Sequence, residues 1–181
     1  KENNKAALFQ LLPSSQTGIA FNNKVEDEEQ MNIFNYHNFY NGGGVAVGDI
    51  NNDGRPDIFF TSNQGENKLY ANKGNWKFED ITDAAKIIST HKWHTGVSMV
   101  DINQDGFLDI YVNVSGSTKF GSTANLLFIN NKKGTFTEEP RKYGIAATRL
   151  TMNASFFDYD RDGALDLLLI TTPAHEIVYD L

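Results

Sequence analysis

One acidic pattern occurs three times in this chain, and the repetition constrains the fold more than any other feature. The copies occupy residues 49–57, 101–109 and 158–166, and all of them follow D-x-[DN]-x-D-G-x-x-D. Side-chain oxygens stand at positions 1, 3, 5 and 9. A glycine at position 6 permits a sharp turn, and position 7 offers a backbone carbonyl. Because hard cations such as Ca²⁺ take roughly six to eight oxygens at such spacing, the pattern predicts up to three calcium sites, one in each loop.

The residues around each loop favour strands over helices. At position 12, where a helix–loop–helix calcium motif carries a glutamate, this chain has Phe60, Val112 or Leu169. Short β-branched and aromatic runs flank every loop, which is typical of buried strands. Each loop is therefore predicted to join two strands of a hairpin. The alternative is a simple Asx turn without an ion, but the crowded carboxylates would then repel one another.

A longer repeat surrounds the loops. Residues 67–72 and 125–130 are apolar runs between asparagines, each followed by a turn and a strand that begins at Phe78 or Phe136. The interval from Phe to Ile then recurs, at residues 9–19, 78–87 and 136–145. Four strands per unit, with a period near 50 residues, are typical of the blades of a β-propeller.

The sequence thus predicts an all-β chain that forms about two and a half four-stranded propeller blades. The predicted blade units cover residues 41–87, 96–145 and 153–181, after a polar tether at residues 1–8. Residues 9–20 are predicted to be an outer strand that closes the ring. Since two and a half blades cannot close, residues 9–181 are expected to be the N-terminal portion of a larger propeller. The alternative is an open fragment stabilised by a partner chain.

Composition excludes several functional classes. The formal net charge is −7, and ten of the 23 acidic residues lie in the three loops, so the acidity is that of ion sites. The sequence has no basic patch of the kind that indicates nucleic-acid binding. No apolar run approaches the length of a membrane span, and the absence of cysteine excludes disulfides and thiolate metal sites.

Two further segments attract attention. Residues 22–40 form an insertion whose second half alternates asparagine with aromatic residues. This half is either a ligand platform for sugars or peptides, or a strand that packs its aromatics into the core. His91 and His94 are three residues apart, but they immediately precede a predicted strand, where that spacing places side chains on opposite faces. These histidines are therefore interpreted as ordinary loop residues and not as zinc ligands.

The chain resembles the FG-GAP/VCBS repeat family, and more narrowly the ASPIC/UnbV-type proteins secreted by many Bacteroidota. The resemblance is carried by residues 39–57, 69–72, 78–82 and 153–163. It implies a propeller, often seven-bladed and similar to the integrin α-subunit head, with Ca²⁺ under each loop. It also implies a location at the cell surface or outer membrane, with a lipid-anchored N-terminus and, in some members, association with SusC/SusD-type nutrient importers.

The resemblance also assigns ligands to the three loops. They are Asp49, Asn51, Asp53, the Arg55 carbonyl and Asp57; Asp101, Asn103, Asp105, the Phe107 carbonyl and Asp109; and Asp158, Asp160, Asp162, the Ala164 carbonyl and Asp166. The third set has four carboxylates where the others have three. We therefore expect the third loop to bind Ca²⁺ most tightly.

Two functions are considered for such a chain. The first is a non-enzymatic binding or assembly module that presents its loops to a partner protein or a glycan at the cell surface. The second is an enzyme on a propeller scaffold, such as a polysaccharide lyase. The sequence contains none of the common nucleophile, zinc-protease or phosphate-binding motifs. The first function is therefore favoured, without nucleic acid and with membrane contact only through a lipid anchor.

Overall fold

The computed structural model describes residues 9–88, 93–116 and 124–172. Within these ranges, one short helix, α1 (Ser14–Thr17), precedes ten strands in three sheets. Sheet 1 contains β1 (Val45–Gly48), β2 (Asp57–Phe60), β3 (Lys68–Asn72) and β4 (Phe78–Asp80). Sheet 2 contains β5 (His94–Val100), β6 (Asp109–Val114), β7 (Leu126–Asn130) and β8 (Phe136–Glu138). Sheet 3 contains β9 (Thr151–Phe157) and β10 (Asp166–Thr171).

Every sheet is an antiparallel meander in which strands adjacent in sequence are also paired. The two complete sheets have the four-strand unit that the repeated pattern predicts. The all-β prediction is therefore confirmed, and the arrangement is consistent with successive blades of a propeller. Sheets 2 and 3 begin two residues earlier than the predicted blade units, at His94 and Thr151. The described strands close no ring.

The three sheets are stacked face to face, with sheet 2 in the middle. Along β6, alternate side chains point to opposite faces, so Ile110 and Val112 pack toward sheet 1 while Tyr111 packs toward sheet 3. The cluster between sheets 1 and 2 includes Ala46, Phe59, Leu69, Val97, Leu126 and Phe128. The cluster between sheets 2 and 3 includes Leu127, Ile129 and Ala154, with Phe156, Leu167 and Leu169 against them. Because both faces of sheet 2 are covered, every residue of β6 and β7 is buried.

The first strands of the three sheets approach one another closely. A Cβ added to Gly44 would lie 2.7 Å from the carbonyl oxygen of Thr95, and one added to Gly96 would lie 2.6 Å from that of Met152. Only glycine fits at such distances, as the glycine-rich entry to β1 suggests. The Thr95 hydroxyl donates a hydrogen bond of 2.8 Å to the Thr151 carbonyl and thereby links sheets 2 and 3.

The N-terminal segment differs from the predicted outer strand. Residues 9–20 form no strand, and residues 14–17 are the helix α1, which ends at Gly18 in the left-handed conformation. Turns at residues 82–86 and 140–144 occupy the same place in the other two units, and their residues Lys86 and Gly144 are also left-handed. The turn thus belongs to the repeat. Residues 9–13, before this turn, pair with no described strand, so ring closure by residues 9–20 stays a prediction.

The insertion at residues 22–40 forms turns instead of a strand, apart from one isolated bridge between Glu28 and Met31. Met31, Tyr36 and Phe39 are buried against Trp93, and the Tyr36 hydroxyl shares a hydrogen bond of 2.9 Å with Ser115. The packed-strand interpretation is therefore wrong about the strand and about Phe34 and Tyr40, which are exposed. It is right for Tyr36 and Phe39.

No helix in the described ranges is long and apolar enough to cross a membrane.

We predict that Tyr111→Phe lowers the free energy of unfolding by about 1–3 kcal/mol. The buried Tyr111 hydroxyl donates to the Ile145 carbonyl over 2.9 Å and accepts from the Asn125 side-chain amide over 2.8 Å. Phenylalanine keeps the ring and leaves these buried groups without that partner. Urea unfolding followed by far-UV circular dichroism measures the change. Tyr159→Phe, at an exposed site, is the matched control and should shift stability by less than about 0.5 kcal/mol. Equal effects of the two substitutions would contradict the prediction.

Candidate metal centres in three acidic loops

Each acidic loop connects the first two strands of its sheet. The flanking residues pair across the hairpin, as Gly48 does with Asp57, Val100 with Asp109, and Phe157 with Asp166. The prediction that each loop joins two strands is confirmed. Since the three hairpins belong to adjacent sheets, the loops follow one another along one edge of the stack.

Within each loop, the carboxylates gather backbone N–H groups. In the first loop Asp49 accepts from the N–H of Asp53 at 3.1 Å and from that of Gly54 at 2.7 Å. Asn51 also accepts from Asp53, and the Asp53 carboxylate accepts from the Arg55 N–H at 2.9 Å. The other loops repeat this pattern through Asp101, Asn103, Asp105, Gly106 and Phe107, and through Asp158, Asp160, Asp162, Gly163 and Ala164. The side-chain oxygens at positions 1, 3 and 5 are thus fixed by the loop itself.

The carboxylate at position 9 ties the loop to its sheet. Asp109 is fully buried and accepts from the N–H of Ile102 at 3.1 Å and of Asn130 at 2.8 Å. Burial raises the pKa of Asp109, and the nearby Asp105 and Asp101 add to the rise, although the two N–H groups oppose it. Asp57 is held in the same way, with its pKa raised by burial. Each buried anion is therefore costly in the protein alone and would be favoured by a nearby cation.

In the third loop position 9 is less enclosed. Asp166 is exposed and accepts from the Tyr159 N–H at 2.7 Å. In sheets 1 and 2 the second carboxylate oxygen accepts from the last residue of the third strand, Asn72 or Asn130. Sheet 3 has no third strand in the part of the chain that the structure describes, so this second hydrogen bond is not formed there.

The carboxylate at position 5 has a basic partner in two of the loops. The Arg55 guanidinium lies 2.6 Å from Asp53, and the Lys132 ammonium lies 3.4 Å from Asp105. Burial acts to raise the pKa of Asp53, but the hydrogen bonds and charge of Arg55 hold it below its ordinary value. No basic side chain in the described ranges pairs with Asp162. The negative charge of the third loop is therefore the least neutralised.

The third loop also brings carboxylates together most closely. Oxygens of Asp158, Asp160 and Asp166 all lie within 4.8 Å of one another. Asp162 is not part of this group. Loops 1 and 2 carry an asparagine at position 3, so their equivalent oxygens include an amide. An all-oxygen donor set of this kind fits a hard cation such as Ca²⁺ and suits softer transition metals poorly.

Comparison with known proteins identifies the family. Residues 49–112 and 114–169 match the FG-GAP-like repeat, and these stretches cover more than half of the chain and include all three acidic loops. The chain belongs to the FG-GAP-like repeat family.

This FG-GAP-like chain is also similar to cartilage acidic protein 1 of three vertebrates. The Xenopus tropicalis protein is 34% identical over 128 residues, which are 69% of this chain and 19% of that protein. The Mus musculus protein is 40% identical over 76 residues, and the Homo sapiens protein 39% over 79 residues; each match covers 12% of the relative. The chain spans about a fifth or less of the length of these relatives.

Sequence reasoning missed the asparagine that ends each third strand of the FG-GAP-like units. The Asn72 amide donates to the Pro56 carbonyl at 2.9 Å, and the Asn130 amide donates to the carbonyls of Ile50 and Leu108. The Asn72 amide thus holds its own loop, whereas the Asn130 amide holds its own loop at Leu108 and contacts loop 1 at Ile50. Their recurrence at the same place in both repeats was a signal in the sequence, although a single sequence does not show what they contact.

The histidine candidate does not form a site within the described residues. His94 begins β5, is fully buried, and its Nδ1 lies 3.1 Å from the Ser62 carbonyl. His91 lies outside the described residues. The preference for a role other than zinc binding remains a prediction.

We predict that Asp109→Ala destabilises the protein more than Asp166→Ala when both are measured in EDTA. The first substitution leaves two N–H groups without their acceptor, at about 1–3 kcal/mol each, whereas the second affects one exposed N–H group. Thermal unfolding of the two variants in parallel measures the difference. If Asp166→Ala were equally or more destabilising, the two hydrogen bonds to the buried Asp109 carboxylate would not hold the loop as described.

Proposed function

We propose that this chain is part of an extracellular, calcium-stabilised β-propeller that acts as a binding or assembly module and not as an enzyme. The observation that carries the proposal is the row of three acidic loops along one edge of the stacked sheets, with three carboxylates of the third loop within 4.8 Å of one another. Several closely spaced anions in one loop need a counter-charge, and position, chemistry and repetition suit Ca²⁺.

The residues that would hold the ions are those assigned from the family pattern. Positions 1, 3, 5 and 9 would contribute side-chain oxygens, and Arg55, Phe107 and Ala164 would contribute their carbonyls. The bound ion would supply positive charge to the loop. The chain's own part is to orient the donors, through the backbone N–H groups that each carboxylate accepts, and to connect the loop rigidly to the strands through position 9.

The ring itself is part of the proposal. Val45 and Val47 on β1, and Leu168 and Ile170 on β10, are each more than half exposed. These residues lie at the two ends of the stack, on strands whose counterparts in sheet 2 are covered on both faces. We propose that further blades of the same kind cover them, in a ring that is seven-bladed as in integrin-like propellers. Residues 1–8 would then be a tether and residues 9–20 would complete an outer edge.

The partner is proposed to be a protein or a glycan outside the cell. The relatives are named for cartilage, an extracellular tissue, and this name supports the proposed location. The FG-GAP-like repeat supports a module for binding or adhesion. The more specific propositions are an ASPIC/UnbV-like protein of Bacteroidota, a lipid-anchored outer-membrane location and a role beside a SusC/SusD-type importer. They rest on the sequence resemblance alone.

The test is a thermal melt in excess Ca²⁺, in EDTA, and in Mg²⁺. Ions that bind only the folded state stabilise it by about 2.7 kcal/mol per site at a hundredfold excess over Kd. We expect a large rise in melting temperature with Ca²⁺ and a much smaller one with Mg²⁺, which requires a tighter octahedral site. Equal melting temperatures in Ca²⁺ and EDTA would refute the calcium role.

We further predict that the tightest of the sites is the third loop and that its extra carboxylate is the cause. Asp160→Asn gives this loop the same donor set as the other two, so we expect its affinity to fall toward theirs. The reciprocal variant Asn103→Asp should raise the affinity of the second loop. Calorimetric titration with Ca²⁺ measures both changes. An unchanged highest affinity in Asp160→Asn would disprove this ranking.

A further inference from the structure

The side chain at position 4 of each of the first two loops reaches into the next loop. The Asn52 amide donates a hydrogen bond of 2.9 Å to the Gly106 carbonyl, and the Gln104 amide donates one of 2.7 Å to the Gly163 carbonyl. Both bonds run from position 4 of one loop to position 6 of the following one. The same contact therefore links loop 1 to loop 2 and loop 2 to loop 3.

Each bridge ends on a carbonyl of the next loop that lies between two N–H groups already bonded to that loop's carboxylates. The Gly106 N–H donates to Asp101 at 2.8 Å, and the next N–H, of Phe107, donates to Asp105 at 3.0 Å. The Gly106 carbonyl that accepts from Asn52 lies between these two N–H groups. A bridge to this carbonyl thus fixes the backbone between the position 5 carboxylate and the residue whose own carbonyl is a proposed ligand.

The residue whose side chain donates each bridge also lies between two proposed calcium ligands. Asn52 stands between Asn51 and Asp53, which are proposed ligands, and its backbone is left-handed, with φ of 58°. Gln104 has φ of 55° between Asn103 and Asp105. When the ligands on either side of position 4 are fixed by an ion, the backbone that carries the bridging amide is fixed with them. The hydrogen bond would then pass this ordering from one loop to the next.

We propose that Asn52 and Gln104 are positioning residues that couple cation binding between neighbouring loops, so that the three loops fill cooperatively. This inference rests on the proposed calcium role of the loops. A loop whose backbone is already held by its neighbour loses less conformational freedom when it binds an ion, and this gives positive coupling. The coupling is reciprocal, since the second ion must favour the first to the same extent.

The third loop supplies a matched control. Arg161 occupies position 4 with φ of 64°, but its side chain makes no bridge to another acidic loop among the described residues. Substitution of Arg161 changes the same loop position and should leave the coupling between these three loops intact.

The first experiment is a calcium titration of the whole chain by calorimetry. Because the three loops are expected to differ in affinity, the coupling is measured as the difference in Hill coefficient between the unsubstituted protein and each variant. Gln104→Met keeps the length of the side chain and removes its donor, and Asn52→Ala removes the other donor; each should lower the Hill coefficient while the number of ions bound is unchanged. Arg161→Ala should behave as the unsubstituted protein. The melting temperatures of all variants in EDTA show whether each one is folded.

A double-mutant cycle then isolates one bridge. Asp49→Ala disables loop 1, and its effect on the affinity of loop 2 is measured with and without Asn52→Ala. Because Asn52→Ala removes one neutral hydrogen bond, we expect it to lower the coupling constant between loops 1 and 2 about fivefold.

The outcomes separate the coupling from the calcium role. Unchanged Hill coefficients in Gln104→Met and Asn52→Ala, or equal losses in Gln104→Met and Arg161→Ala, would overturn the coupling and leave the calcium role intact. No binding at all would overturn the calcium role itself.

Discussion

A carboxylate buried at the base of an acidic loop is the interaction on which each complete unit depends. Asp57 and Asp109 each accept one N–H from the start of their loop and one from the end of the third strand. One side chain thereby joins the first hairpin to the next strand of the sheet. An unpaired anion in such a place would be strongly unfavourable, and its hydrogen bonds reduce that cost only in part. The same residue that organises the sheet therefore creates a demand for positive charge in the loop above it.

The repeat could be predicted because its signals are local. Asp, Asn and Gly at fixed spacing specify the turn, and apolar runs such as residues 110–112 specify the strands beside it. The recurrence of the pattern then predicts the four-strand unit, since each element needs the same neighbours. These are the parts in which sequence and structure agree.

The remaining features depend on contacts that local patterns do not encode. Residues 14–17 form a helix inside the predicted outer strand, because the turn that follows the fourth strand of each complete unit falls there. The insertion packs Met31 and Phe39 on Trp93, which is more than fifty residues away in the sequence. The bridges from Asn52 and Gln104 likewise join loops from different repeats. Propensity arguments cannot place such pairs, because which aromatic or amide meets which partner is decided by how the sheets stack.

The stacking order also sets how stability is distributed along the molecule. Sheet 2 has a neighbour on each face, whereas sheets 1 and 3 each have one, and sheet 3 has only two strands in the described region. Where repeated sheets stack on one another, the free energy of unfolding is roughly a sum of units and nearest-neighbour interfaces. Contacts on both faces of sheet 2 should then make the amide hydrogens of β6 and β7 the slowest to exchange with solvent among the described strands. The loop between β5 and β6, which Asp109 connects to β6, is thus attached to the best-protected strands that the structure describes.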